Sequence, residues 1–215
     1  MNNLGFEFHD DIRPLAALLR PTKLSDYVGQ QQVLGPGTPL RKAIEAGRIS
    51  SLILWGPPGT GKTTLAELIA IYAKAAIARL SAVTAGVKEI REEIQAAKQR
   101  LAQNQRTLLF VDEVHRFNKA QQDAFLPHIE DGTIIFIGAT TENPAFALNN
   151  AMLSRARVCI LKKLTAQDLA LVIERAVAHY QQQGQQVQVS PDAQSLLLQL
   201  ADGDARRLLN LFEQA

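Results

Sequence analysis

The stretch Gly56-Pro57-Pro58-Gly59-Thr60-Gly61-Lys62-Thr63 matches the pattern G-x-x-x-x-G-K-[ST] of a phosphate-binding loop. It directly follows the apolar run Ser51–Trp55 and precedes a helical pattern, which is the context that such a loop requires. Glycines let backbone N–H groups converge on phosphate oxygens, and the following helix points its positive dipole end at them. With the adjoining Thr64, the loop is predicted to bind ATP: Lys62 lies at the β- and γ-phosphates, and the Thr63 hydroxyl is a Mg²⁺ ligand.

Further short apolar runs indicate additional strands that are buried on both faces. They are Ala76–Leu80, Thr107–Asp112, Thr133–Gly138 and Arg157–Leu161. Amphipathic segments alternate with these runs; in one of them Ile90, Ile94, Ala97 and Leu101 share a helix face. This alternation predicts an α/β fold, with a parallel sheet of about five strands between layers of helices.

The pattern changes after Leu164, where apolar runs of strand length end and helical patterns continue. Thr165 is placed to cap the first of these helices, and Ser190-Pro191 opens the next. We therefore predict a nucleotide-binding core over residues 1–164 and a small helical domain over residues 165–215. The final helix reaches Ala215 without a stop signal, which leads us to expect a longer parent protein.

The run Thr107–Asp112 predicts the second half of a nucleotide site. It delivers Asp112 to the carboxyl end of its strand, where the carboxylate can hold Mg²⁺. Glu113 follows directly and is placed to orient or activate the attacking water.

Other polar residues near these strands are open to two interpretations. Thr140, Thr141 and Asn143 follow a strand and could bind the attacking water or the γ-phosphate, or they could simply form a turn before Pro144. Arginines in two segments could stabilise the charge that develops on a triphosphate or could form surface ion pairs. These are Arg155 and Arg157 before and in the last strand, and Arg206 and Arg207 in the last helix.

The composition excludes several classes of protein. The chain has 215 residues, a net charge of +2 and one cysteine, so neither a disulfide framework nor an overall basic nucleic-acid binder is indicated. The first residues, MNNLGFEFHDD, carry acids and no apolar segment of a signal peptide. No apolar run approaches the ~18 residues of a membrane span. We expect a cytoplasmic protein that does not partner a membrane.

The motifs together resemble the AAA+ ATPases, and within them the replication-associated recombination protein A family, which is similar to Werner-helicase-interacting protein. The segments that carry the resemblance are Leu52–Leu65, Ser81–Glu92, Leu109–Gly132, Ile137–Pro144, Leu153–Val158 and Gly203–Asn210. They are spread over nearly the whole chain. The strings Asp-Glu-Val-His-Arg-Phe-Asn-Lys and Gly-Ala-Thr-Thr-Glu-Asn-Pro are quite specific to that family.

The resemblance implies roles for the ambiguous residues. Thr141 corresponds to the sensor-1 position, with Asn143 as the less favoured candidate. Arg155 corresponds to an arginine finger that reaches the ATP of a neighbouring subunit, and Arg206 to the sensor-2 arginine of a helical lid. The stretch that contains Tyr27 and Val28 is similar to the segment near the adenine base.

The resemblance also implies a function on DNA. Family members are similar to clamp loaders and act at stalled or gapped replication forks, which implies fork, gap or duplex-end DNA as a partner. Single-stranded-DNA-binding protein, a homo-oligomer formed through a further C-terminal region and a nucleoid-associated location are implied in the same way. A protein-remodelling chaperone and an ATP-dependent binding switch are the alternatives.

Two further features stay open at the level of sequence. Lys88, Arg91, Gln95 and Lys98 form a polar stripe on one predicted helix, either a DNA-facing surface or a solvated face with interleaved acids. His115 in Asp-Glu-Val-His is interpreted as a hydrogen-bonding residue behind Glu113 rather than as a catalytic base.

Overall fold

The computed structural model describes residues 13–215. The prediction that the first residues carry no signal peptide concerns MNNLGFEFHDD, residues 1–11, which lie outside the described residues. The strands are β1 (Leu52–Trp55), β2 (Ala76–Ser81), β3 (Thr107–Asp112), β4 (Ile134–Thr140) and β5 (Arg157–Ile160). The helices are α1 (Leu15–Leu18), α2 (Gln31–Leu34), α3 (Pro39–Glu45), α4 (Lys62–Tyr72), α5 (Val87–Ala102), α6 (Lys119–Asp123), α7 (Leu126–Glu130), α8 (Pro144–Ala147), α9 (Asn150–Leu153), α10 (Ala166–Gln182), α11 (Pro191–Ala201) and α12 (Ala205–Gln214), with 3₁₀ turns at Leu24–Asp26 and Val114–Arg116.

The strands form one sheet in the order β2-β3-β4-β1-β5, and every neighbouring pair is parallel. The predicted α/β class with a five-stranded parallel sheet is therefore confirmed. Strand β1 lies inside the sheet between β4 and β5. Ligands of such sheets bind beyond the carboxyl ends of the strands, which is where β1 runs into the glycine-rich loop.

Apolar side chains cover both faces of the sheet. Helix α4 buries Leu65, Leu68 and Ile69 in the cluster on one face. Helix α5 buries Ile90 and Ile94 in the cluster on the other face, as their spacing predicts. Leu101, the last apolar residue of that helix face, is 40% exposed because it lies in the last turn of α5, where the chain turns back toward β3.

The helices after β5 pack around a cluster of their own, which includes Leu169, Ile173, Leu208 and Leu15 of α1. The predicted cap of α10 is present: the Thr165 hydroxyl accepts a hydrogen bond from the Asp168 N–H at 3.1 Å. The helical pattern predicted for this part of the chain is thus observed. Its assignment as a lid, and the division at residue 164, stay predictions.

In the part of the chain that the structure describes, no helix combines the length and the apolar character needed to cross a membrane.

Candidate nucleotide-binding site

A cavity of about 420 Å³ lies at the carboxyl end of the sheet. Four parts of the chain line it: the segment of residues 14–28, the glycine-rich loop with the start of α4, the ends of β3 and β4, and the C-terminal helices. The predicted residues that line it are Tyr27, Val28, Pro58, Gly59, Thr60, Gly61, Lys62, Thr63, Thr64, Asp112, Glu113, Thr141 and Arg206. Segments that are far apart in sequence therefore meet around one space.

Two glycines give the loop its shape. Gly59 and Gly61 have φ angles of +65° and +95°, a region that residues with a side chain rarely adopt. A Cβ at Gly61 would collide with the hydroxyl of Tyr27, and one at Gly59 would collide with the carboxylate of Asp204. Both positions therefore also need glycine because neighbouring segments approach so closely.

Lys62 opens α4 and is only 9% exposed. Its Nζ donates hydrogen bonds to the carbonyl oxygens of Gly56 and Pro57, both at 2.7 Å. Burial lowers the pKa of Lys62, while the carboxylates of Glu113 and Asp112 act in the opposite direction. Gly56 and Pro57 thus anchor the lysine rather than line the cavity.

The N-terminal segment is hydrogen-bonded to the loop. The Tyr27 hydroxyl lies 3.2 Å from the Thr60 carbonyl oxygen and 3.3 Å from that of Gly61, and it can donate to either. Burial raises the pKa of Tyr27 well above its ordinary value. Gln30 joins the same segment to the chain that follows β5. Its Nε2 donates to the Lys162 carbonyl at 2.7 Å, and its Oε1 accepts from the Lys162 N–H at 2.9 Å. Tyr27 and Val28 are therefore held at the cavity wall.

The two acids at the end of β3 lie side by side at the cavity. The N–H of Glu113 donates to Oδ1 of Asp112 at 3.1 Å, and Glu113 itself has a left-handed φ of +53°. Thr63 lines the same cavity. A hydroxyl and a carboxylate are hard oxygen donors of the kind that Mg²⁺ prefers when it also binds phosphate. The residues present therefore fit a magnesium ion.

The structure separates the three polar candidates at the end of β4, because the strand extends to Thr140 and only Thr141 and Asn143 follow it. Thr140 is fully buried, and its Oγ1 lies 2.9 Å from Nδ1 of His115. Asn143 caps α8 by accepting from the Ala145 N–H at 3.0 Å. Thr141 is exposed and lines the cavity, so it is the candidate with access to a bound phosphate.

The predicted arginines lie in different surroundings. Arg206 is exposed and lines the cavity, two residues after Asp204, which caps α12. Arg155 lies outside the cavity lining, where its guanidinium pairs with Glu130. Of these two arginines, Arg206 is therefore the one close enough to act on a ligand in this chain's own cavity.

Sequence reasoning missed several residues of the cavity wall. Arg20 pairs with Glu67 at 2.6 Å, and Arg175 of α10 donates to the backbone carbonyl of Asp26. Both arginines line the cavity, as does Asn210 of α12. No local pattern marks them, because each is brought to the cavity by packing between segments remote in sequence.

Comparison with known protein families gives one match that spans half of the chain. Residues 52–164 match the family described as "ATPase family associated with various cellular activities (AAA)". The matched region begins at β1 and extends beyond β5, so it includes the glycine-rich loop, both acids and Thr141.

Curated relatives support a narrower resemblance. The chain is 57% identical over 216 residues to replication-associated recombination protein A of Escherichia coli (strain K12), a match that covers 99% of this chain and 48% of that protein. It is 45% identical to ATPase WRNIP1 of Dictyostelium discoideum, over 94% of this chain and 23% of that protein. The chain spans about half the length of the first of these relatives. The resemblance inferred from the motifs is confirmed.

Solved structures share the fold. A Thermotoga maritima RuvB structure, titled a Holliday junction branch migration motor, superposes with a TM-score of 0.72 at 28% identity, covering 91% of this chain and 64% of that one. A lysine-to-arginine mutant of the same RuvB protein gives a TM-score of 0.74 at 27% identity, covering 91% and 65%. The arrangement of sheet and helices around the cavity is therefore shared with these proteins.

Proposed function

Because the chain belongs to the AAA family of ATPases, we propose that it binds ATP in this cavity and hydrolyses it to ADP and phosphate. One observation carries the proposal. Residues 58–63 of the glycine-rich loop, the two acids at the end of β3, Thr141 and Arg206 all line a single cavity, although they come from widely separated parts of the chain.

Each residue has a role that follows from its position. Lys62 and the backbone N–H groups of the loop bind the phosphates, with the positive end of α4 behind them. Glu113 orients or activates the attacking water, and Thr141 holds that water or the γ-phosphate. Thr63 and Asp112 would hold Mg²⁺, which would supply positive charge that neutralises the phosphates.

The remaining predicted residues serve the other end of the nucleotide and the neighbouring site. Tyr27 and Val28 contact the adenine base, and Arg206 contacts the phosphates within the same subunit. Arg155 lies outside this cavity and acts on the ATP of a neighbouring subunit in a homo-oligomer. Its ion pair with Glu130 is exposed, and exposed pairs contribute only about 0–1 kcal/mol, so the guanidinium can exchange partners on assembly.

We further propose that ATP hydrolysis serves an action on DNA at stalled or gapped replication forks. The names of the E. coli relative and of the RuvB structure, which speak of replication-associated recombination and branch migration, support this proposal. Single-stranded-DNA-binding protein as a partner and a nucleoid-associated location in the cytoplasm belong to the same proposal.

The experiment is ATP turnover as a function of protein concentration, with and without a duplex that carries a single-stranded gap. We expect turnover that rises faster than linearly with concentration and is stimulated by the gapped DNA. In Arg155→Ala the faster-than-linear rise should disappear, because sites completed by a neighbour lose their arginine. Turnover that is linear and indifferent to DNA would contradict the DNA function and favour an ATP-dependent binding switch.

A further inference from the structure

His115 lies in the 3₁₀ turn that follows Glu113, and its side chain is 7% exposed. Both ring nitrogens face hydrogen-bond acceptors. Nδ1 lies 2.9 Å from Oγ1 of Thr140 and 3.4 Å from Oε2 of Glu113, while Nε2 lies 3.4 Å from Oε1 of Glu142. One buried ring therefore stands between a carboxylate at the cavity and a carboxylate at the surface.

The turn that carries His115 is a rigid support. Val114 is fully buried and packs toward β4 at Gly138, where a Cβ would lie only 3.1 Å from the valine side chain. The N–H of Arg116 donates to the Glu113 carbonyl at 2.9 Å, which closes the turn. The imidazole and the Glu113 carboxylate are consequently fixed on one short, packed piece of backbone.

Thr140 connects this ring to the rest of the site. Its hydroxyl accepts from the Glu142 N–H at 3.0 Å, and its carbonyl accepts from the Gly56 N–H at 3.2 Å. The Glu142 side chain is 63% exposed, and Thr141, which lines the cavity, lies between the two residues in sequence. A change at Glu142 can therefore be passed to Glu113 through the His115 ring, while the hydrogen bond between His115 and Thr140 fixes the ring next to the backbone that precedes Thr141.

We propose that His115 is a positioning residue: it holds the Glu113 carboxylate toward the attacking water and links that orientation to Glu142 at the protein surface. The proposal rests on the proposed ATPase function, since Glu113 needs an orientation only if it acts on water. His115 touches no nucleotide in this account, because it does not line the cavity. Its loss should therefore change the rate of the chemical step and not the binding of ATP.

Substitutions at His115 can separate the contacts of its two ring nitrogens. The side-chain amide of Asn lies near the place of Nδ1, so His115→Asn can retain the contacts with Glu113 and Thr140. The amide of Gln reaches the place of Nε2, so His115→Gln can retain only the contact with Glu142. His115→Ala removes all three contacts, and His179→Ala in α10, outside the cavity lining, is the control.

The measurements are kcat, KM for ATP and the melting temperature of each variant. A positioned acid–base group contributes roughly 10²–10⁴-fold to the rate of a reaction. Because His115 only orients such a group, we expect kcat of His115→Ala to fall about tenfold while KM for ATP stays unchanged. His115→Asn should recover most of that loss, whereas His115→Gln should behave like the Ala variant. Equal losses in all three variants, or a KM and melting temperature that change in step with kcat, would overturn the proposal.

Glu113→Gln, measured in parallel, distinguishes the failure of this inference from the failure of the proposed function. If Glu113→Gln hydrolyses ATP like the unmodified protein, the proposed function fails. If Glu113→Gln is inactive while His115→Ala keeps full kcat, only the role of His115 fails.

Discussion

At the scale of single residues, Gly59 shows how closely the glycine-rich loop is packed. Its φ is +65°, and a Cβ there would collide with the carboxylate of Asp204, the cap of α12. The Gly59 carbonyl also accepts from the Ala205 N–H at 3.2 Å. The loop is thus joined directly to the C-terminal helices.

Gly59→Ala should therefore lower both stability and ATP affinity. Gly132→Ala is the matched control, because Gly132 has a φ of +74° and nothing within 4 Å of its Cβ position. The control variant introduces a strained backbone, which costs roughly 1–3 kcal/mol of stability, without the collision. Thermal unfolding and ATP titration of both variants check this. If Gly59→Ala is no less stable than Gly132→Ala, the contact with Asp204 is not tight.

The residues that lie at the cavity could be predicted where a local sequence pattern has one physical meaning. Lys62, Thr63, Asp112 and Glu113 lie at the cavity as their spacing from neighbouring strands indicates. The residue pattern alone could not choose between Thr140 and its neighbour Thr141, because adjacent residues at a strand end point in different directions; the family resemblance selected Thr141. The choice depends on His115, which binds Thr140 across the chain.

At the scale of elements, α5 presents a polar stripe whose function the sequence leaves open. Lys88, Arg91, Gln95 and Lys98 are all exposed, while Ile90 and Ile94 face the sheet. Lys88 and Glu92 are 3.9 Å apart and exposed, so this pair holds the lysine only weakly. The stripe is therefore available to contact phosphates.

The double variant Lys88→Ala with Arg91→Ala should weaken the stimulation of turnover by DNA and leave turnover without DNA unchanged. Each phosphate contact adds about 0.7–0.9 to the slope of log affinity against log salt, so the variant should also bind gapped DNA with a smaller salt dependence. Lys42→Ala with Arg48→Ala, two exposed cations elsewhere, is the control. An equal loss of turnover with and without DNA would show that the stripe serves the fold and not DNA.

The helices and strands could be predicted because the spacing of apolar residues along the sequence indicates which face of an element is buried. Each predicted strand is present within a residue or two, and the cap at Thr165 marks the start of α10. The exposure of Leu101 could not be predicted, because periodicity does not show where a helix extends beyond the surface against which it packs. Its 40% exposure is a property of the end of α5 and not of its repeat.

At the scale of the whole molecule, the cavity is built between parts of the chain that the sequence could not place relative to one another. Arg20 reaches Glu67 of α4, and Arg175 of α10 reaches the carbonyl of Asp26. The first contact joins residues that are 47 positions apart in the sequence, and the second joins residues that are 149 positions apart. A nucleotide in the cavity would touch all the joined parts at once, so its binding should stiffen them together.

Whether ATP is hydrolysed in this cavity can be measured as phosphate release from ATP by Lys62→Ala, compared with the unmodified protein and with Lys42→Ala. Lys62 is buried beside the loop carbonyls, and Lys42 is an exposed lysine on α3. We predict that Lys62→Ala releases phosphate no faster than buffer, because the charge that holds the β- and γ-phosphates is gone, and that Lys42→Ala is unaffected. Hydrolysis by Lys62→Ala at the rate of the unmodified protein would contradict the assignment of this cavity as the site of ATP hydrolysis.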